Sequence, residues 1–159
     1  MDERLEWIDR LLEKQCWLVD FLPEQVPAEA GGCFFQAEEF LLGRGGRYGV
    51  ADRFAGVILK LMCYYPVAVP CEEWMENPSP GAVCDRVKEI MGSGRGTLNV
   101  LFLGEDALLV LEGGDLYLSV YNPDRAMQRR LRGIAASEGV FFRRAGALDR
   151  VNLKAVSAK

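Results

Sequence analysis

The sequence predicts an α+β fold: N-terminal helices packed with a C-terminal antiparallel β-meander, followed by one more helix and a final strand. Apolar residues recur at helical spacing through most of the chain up to Met91. After residue 97 the pattern changes to three short β-rich runs joined by glycine-containing turns. Helical runs and strand runs are therefore segregated along the chain, which argues against a parallel α/β sheet.

Residues 3–21 read as one helix. Leu5, Ile8, Leu12, Cys16 and Val19 share a face that Leu11 and Leu18 widen, and Asp2, Glu3 and Glu6 place negative charge at its N-terminal end. Pro23 ends it, and residues 23–32, with two prolines and Gly31-Gly32, read as a loop. A short helix over 34–42 follows from the spacing of Cys33, Ala37, Phe40 and Leu41, and the glycines of 43–46 stop it. Over 48–63, Val50, Phe54, Val57, Ile58, Leu61 and Met62 form one apolar face, with Asp52, Arg53 and Lys60 off it. Residues 65–70 are extended. Pro66 and Pro70 confine them to a sheet edge or a loop, because proline has no N–H to donate. Residues 72–81 look irregular. Ser79-Pro80 then reads as an N-cap with proline at the first helical position, opening a helix to Met91 that turns Val83, Val87, Ile90 and Met91 inward.

The meander strands are predicted at 98–103, 107–112 and 116–121, with Gly104-Glu105-Asp106 and Gly113-Gly114 as turns. Asn122-Pro123 starts a helix over 123–137 with Met127, Leu131, Ile134 and Ala135 inward, and a last strand covers 140–144. Residues 1–144 are expected to be a single α+β domain and 145–159 a weakly ordered basic tail.

Several function classes fall away on composition. There is no histidine, which removes Ser–His–Asp and Cys–His nucleophilic chemistry and histidine-based metal sites. An enzyme here would have to work through carboxylate, Tyr or Cys chemistry, or a lysine, and no such constellation assembles in the sequence. The five cysteines, Cys16, Cys33, Cys63, Cys71 and Cys84, are odd in number and lack CxxC spacing. They are expected to be reduced core thiols, with Cys16 and Cys63 inside apolar helical patterns. A zinc site from Cys63, Cys71 and Cys84 lacks closely paired ligands, so neither metal nor cofactor is expected. Nothing approaches a run of about 18 apolar residues, and the acidic start Met1-Asp2-Glu3 is not a secretory signal. No membrane contact and a cytoplasmic location are expected. The glycines of 92–97 follow a helix and precede a strand, the reverse of the order a phosphate loop needs. Those of 43–49 read as a helix–helix loop.

Charge is divided along the chain. Residues 1–124 hold 10 Lys/Arg against 21 Asp/Glu, whereas residues 125–159 hold 9 against 2. Arg125, Arg129 and Arg132 lie at i, i+4 and i+7, opposite the apolar face of their helix, with Arg130 beside them. Arg143 and Arg144 end the last strand, and Arg150 and Lys154 follow. Such a cluster suits phosphate or an acidic protein surface; the plain alternative is a solvated helix face favoured by the helix dipole. Aromatic and basic residues interleave only at Phe141-Phe142-Arg143-Arg144, so nucleic acid is not the expected partner. A second candidate surface is Glu72, Glu73 and Trp74, where a tryptophan among acids suits a protein partner. The alternative is that Trp74 covers the core edge. Glu38-Glu39 lack calcium-loop spacing, and adjacent helix residues do not share a face.

Two stretches carry a resemblance. Phe21-Leu22-Pro23-Glu24-Gln25-Val26-Pro27 running into Gly31-Gly32-Cys33-Phe34-Phe35, and Trp74-Met75-Glu76-Asn77-Pro78-Ser79-Pro80, resemble a family of small bacterial proteins with no assigned activity. The resemblance extends over most of the chain and implies no ligand or site. The Leu-Pro and Gly-Gly elements are also similar to those of acidic immunity-type α+β proteins that neutralise toxins. The expected function is a non-catalytic protein-interaction role, adaptor or immunity-type. The alternatives are a nucleic-acid or nucleotide binder using the basic C-terminal third, and a histidine-free enzyme.

Overall fold

A computed structural model describes residues 2–43 and 49–146. In chain order the elements are α1 (Glu3–Leu11), β1 (Cys16–Asp20), α2 (Phe34–Leu42), α3 (Val50–Met62), β2 (Val67–Pro70) and β3 (Trp74–Glu76). Then come α4 (Pro80–Ser93), β4 (Thr97–Phe102), β5 (Ala107–Glu112), β6 (Tyr117–Tyr121), α5 (Arg125–Ser137) and β7 (Phe141–Arg144). The α+β prediction holds, and the predicted meander β4–β5–β6 is the centre of one seven-stranded antiparallel sheet of order β3-β2-β4-β5-β6-β1-β7.

The two sheet faces are covered unequally. Helices α3, α4 and α5 pack on one face, where Phe54, Ile58, Val87, Ile90, Met127 and Leu131 meet Val19, Val100, Leu109 and Leu118. On the other face α1 turns Ile8 and Leu11 onto Leu18, Leu101, Leu108 and Val110. Each large side chain fully buried this way stabilises by about 1.5–3 kcal/mol. The predicted Ser79 cap forms: its hydroxyl accepts from Ala82 N at 3.2 Å, ahead of Pro80. Helix α5 begins slightly later than expected, capped by Asp124, whose carboxylate accepts from Met127 N at 2.8 Å. The β5–β6 turn packs so closely on the end of α4 that a Cβ at Gly113 would stand 2.5 Å from the Arg95 nitrogen.

Four expectations are corrected. The helix expected over 3–21 ends at Leu11, and residues 16–20 are strand β1, inserted between β6 and β7. Cys16, Leu18 and Val19 are buried on opposite faces of the sheet, so β1 lacks the alternation that marks a half-exposed strand. Strand β2 is not an edge, because the segment expected to be irregular supplies β3 outside it. Its prolines are tolerated by position: Pro66 precedes the strand and Pro70 ends it. The cysteines are not uniformly core thiols: Cys16 is buried and Cys84 half-buried, while Cys33, Cys63 and Cys71 are exposed. Of the expected tail, residues 147–159, with Arg150 and Lys154, lie outside the described residues. Among the described residues no helix is long and apolar enough to cross a membrane.

Candidate functional site

The arginines predicted as a stripe fall into different local environments. Arg125, Arg129 and Arg132 are exposed on α5, opposite the buried Met127, Leu131 and Ile134, as the helical spacing requires. The Arg132 guanidinium sits 5.8 Å from the ring of Trp17 and 5.7 Å from that of Phe142, which stack on each other at 4.9 Å. Arg130 lies over Tyr64 and Tyr65 and donates to the Tyr65 hydroxyl at 2.7 Å. Arg143 faces the opposite side of the sheet from α5, and Arg144 lies beside the Gln15 side-chain amide. What the stripe leaves open is Arg125 and Arg129, which make no ion pair among the described residues.

Trp74 is half-buried against the α1 side of the sheet, with Arg4 over its ring at 5.4 Å. Its indole N–H donates to Asp2, and Arg4 also pairs with Glu76. Trp74 therefore fastens α1 to β3 as a cover for the core edge. Glu72 and Glu73 are exposed beside it, in the turn between β2 and β3.

A different region brings chemistry together. Asp20 ends β1 on the same sheet face as Leu18, two residues before it. It is 5% exposed. Its Oδ1 accepts from Leu22 N at 2.9 Å, and its Oδ2 accepts from Arg143 Nε at 3.2 Å and Nη2 at 2.8 Å. This fork-shaped pair compensates a carboxylate that would be costly to bury alone. It lies in the floor of a cleft of about 480 Å³, walled by the loop after β1 and the first turns of α2. The lining is largely apolar, with Leu22, Val26, Pro27, Phe34, Phe35 and Leu116.

Two further carboxylates enter this cleft. Glu38 projects from α2, and burial holds its carboxyl above the usual range. Asp115 enters from the turn before β6. Burial, reinforced by the negative charges of Glu112 and Glu38, pushes its pKa up to about 7, against a lowering hydrogen bond from Tyr117. Near neutral pH it is divided between protonated and ionised forms, so it can exchange a proton or answer an incoming cation. Among the described residues no group of three or more Cys, Asp or Glu is arranged to hold a metal ion.

Helix α2 stands at the mouth of the cleft and contains no buried residue. Phe35 is 80% exposed and Phe40 62% exposed, although Leu41 and Leu42 touch the main core. Sequence reasoning missed this site. Asp20 falls within the helix expected over 3–21, Glu38 stands beside Glu39 with no spacing that marks a site, and Asp115 lies between the Gly113-Gly114 turn and the strand expected at 116–121. The available signal was an acid closing the apolar run Trp17-Leu18-Val19 just before a proline-rich loop. No family model, curated protein or solved structure matches the chain.

Proposed function

We propose that this chain is a non-catalytic protein-interaction molecule whose recognition surface is the cleft beside α2 rather than the arginine face. The observation that carries the reading is a helix with no buried residue, presenting a four-fifths-exposed Phe35 at the mouth of an apolar cleft. Aromatic side chains seated in a pocket are the usual anchors of a protein interface, and clustered exposed apolar surface marks such sites. A non-catalytic role is supported by the missing histidine and by the engagement of Asp20 with Arg143, which leaves no assembled nucleophile and base among the described residues of the cleft. A cytoplasmic setting accompanies this reading, since five cysteines without a disulfide framework suit a reducing compartment. Residues 1–144 are read as one working unit, in keeping with a sheet whose strands span Cys16 to Arg144.

The test is photocrosslinking in the source cells, with a light-activated phenylalanine analogue at position 35 or at position 129. Adducts with a protein partner are expected from position 35 and not from position 129. Adducts confined to position 129 would transfer the role to the arginine face.

A further inference from the structure

We propose that the occupant of the cleft is a partner-protein segment presenting an apolar side chain with a lysine or arginine beside it, an inference that rests on the binding reading above. Charge complementarity argues for the cation. The cleft is lined by Asp20, Glu24, Glu38 and Asp115, and the cation among its described lining residues, Arg143, is engaged with Asp20. Glu24, Glu38 and Asp115 form no salt bridge among the described residues. A purely apolar occupant would seal Glu38 and Asp115 away from water without a countercharge, at a cost that grows with burial. An anionic occupant would add repulsion. An ammonium or guanidinium offers both carboxylates charge-assisted hydrogen bonds.

Geometry argues for the apolar neighbour and for a protein as its source. Phe34 and Phe35 line the same cleft as Glu38, so the wall that supplies negative charge also supplies aromatic surface. Aromatic faces accept aliphatic carbon and cations alike. Phe35 is four-fifths exposed at the mouth. A protein segment entering the cleft past α2 would cover this ring as well as the cleft floor, which a small molecule seated on the floor would not.

Proton linkage follows from the same arrangement. Asp115 faces Glu38 from α2, Glu112 from the end of β5 and Tyr117 from β6, with the Asp20–Arg143 pair lining the same cleft. A cation seated there favours its ionised form, so binding releases a proton and strengthens as pH rises from about 6 to about 8.

The experiment measures binding of three short, end-blocked synthetic peptides to the full chain by fluorescence anisotropy: alternating leucine–lysine, leucine–glutamate and serine–lysine. The leucine–lysine peptide is expected to bind about tenfold or more tightly than either of the others. Phe35→Ser should weaken it, and so should Glu38→Gln combined with Asp115→Asn, while Glu72→Gln with Glu73→Gln leaves it unchanged. Thermal transitions verify that each variant is folded. Equal binding of the leucine–glutamate peptide, or undiminished binding after the Glu38/Asp115 change, overturns the cation requirement while a Phe35 effect preserves the cleft as a binding surface. If Phe35→Ser alters no peptide's affinity, or the Glu72/Glu73 variant loses binding, both the occupant and the cleft are wrong.

Discussion

The arginine face of α5 and the cleft beside α2 are alike in the folded molecule, since each gathers like charges beside aromatic residues. The fold treats them in opposite ways. On the basic side Arg130 is held by Tyr65 and Arg132 by the Trp17–Phe142 stack, while Arg143 crosses to the other sheet face to meet Asp20. On the acidic side Glu38 and Asp115 are gathered without a salt bridge among the described residues, next to an exposed Phe35. What differs is what the fold sets against each charge: aromatic rings against Arg130 and Arg132, and burial against Glu38 and Asp115.

The comparison breaks most visibly at the ion pair. Arg143→Met strands Asp20 in a site where it is 5% exposed, and should cost about 3–5 kcal/mol in denaturant unfolding. Adding Asp20→Leu should recover much of that loss, because burying a carboxylate without its guanidinium is the damage. If Arg143→Met is neutral, the pair is not the floor of the cleft.

Asp115 gives the next effect, with a defined sign. Its carboxyl titrates at about 7 in the fold against 3.8 when unperturbed, so the native state holds the extra proton between those values. The stability it contributes is fully present below about pH 4 and is lost as pH rises through about 7. Asparagine imitates the protonated form at every pH. Asp115→Asn should match the parent near pH 4 and exceed it at pH 8, by on the order of 1–3 kcal/mol. Melting curves that differ equally at both pH values would contradict the shift.

Smaller effects sharpen the basic side. Arg132→Gln removes the cation over Trp17 and Phe142 and should cost about 0.5–1 kcal/mol. Arg125→Gln with Arg129→Gln should alter stability by no more than about 0.5 kcal/mol. Neither that variant nor the parent should bind RNA measurably at about 150 mM salt. Salt-sensitive RNA binding that disappears in the double variant would restore the arginine face as a nucleic-acid site.

Much of the architecture was legible because its signals are local. The meander announces itself through short β-rich runs and Gly113-Gly114, and α3, α4 and α5 through their apolar faces and, for α4, Ser79-Pro80. Strand β1 was not, because Cys16-Trp17-Leu18-Val19 continues the helical register of Leu5, Ile8 and Leu12 while also suiting a strand. Only pairing with β6 and β7 decides between them, and those partners are distant in sequence. The cleft inherits the same difficulty. Asp20, Glu38, Asp115 and Arg143 come from four separate segments, and none carries a motif of its own.

The placement of β1 between β6 and β7 also bears on how the chain reaches its fold. Helices and the meander rest on contacts between near neighbours, which form early and quickly. The closure joining Asp20 to Arg143 spans 123 residues and carries a large loop entropy. On the ribosome, Trp17, Leu18 and Val19 emerge long before β6 and β7 exist to cover them. Through that interval they form an apolar segment with unpaired backbone, the species on which a chaperone would act and from which misassembly would start.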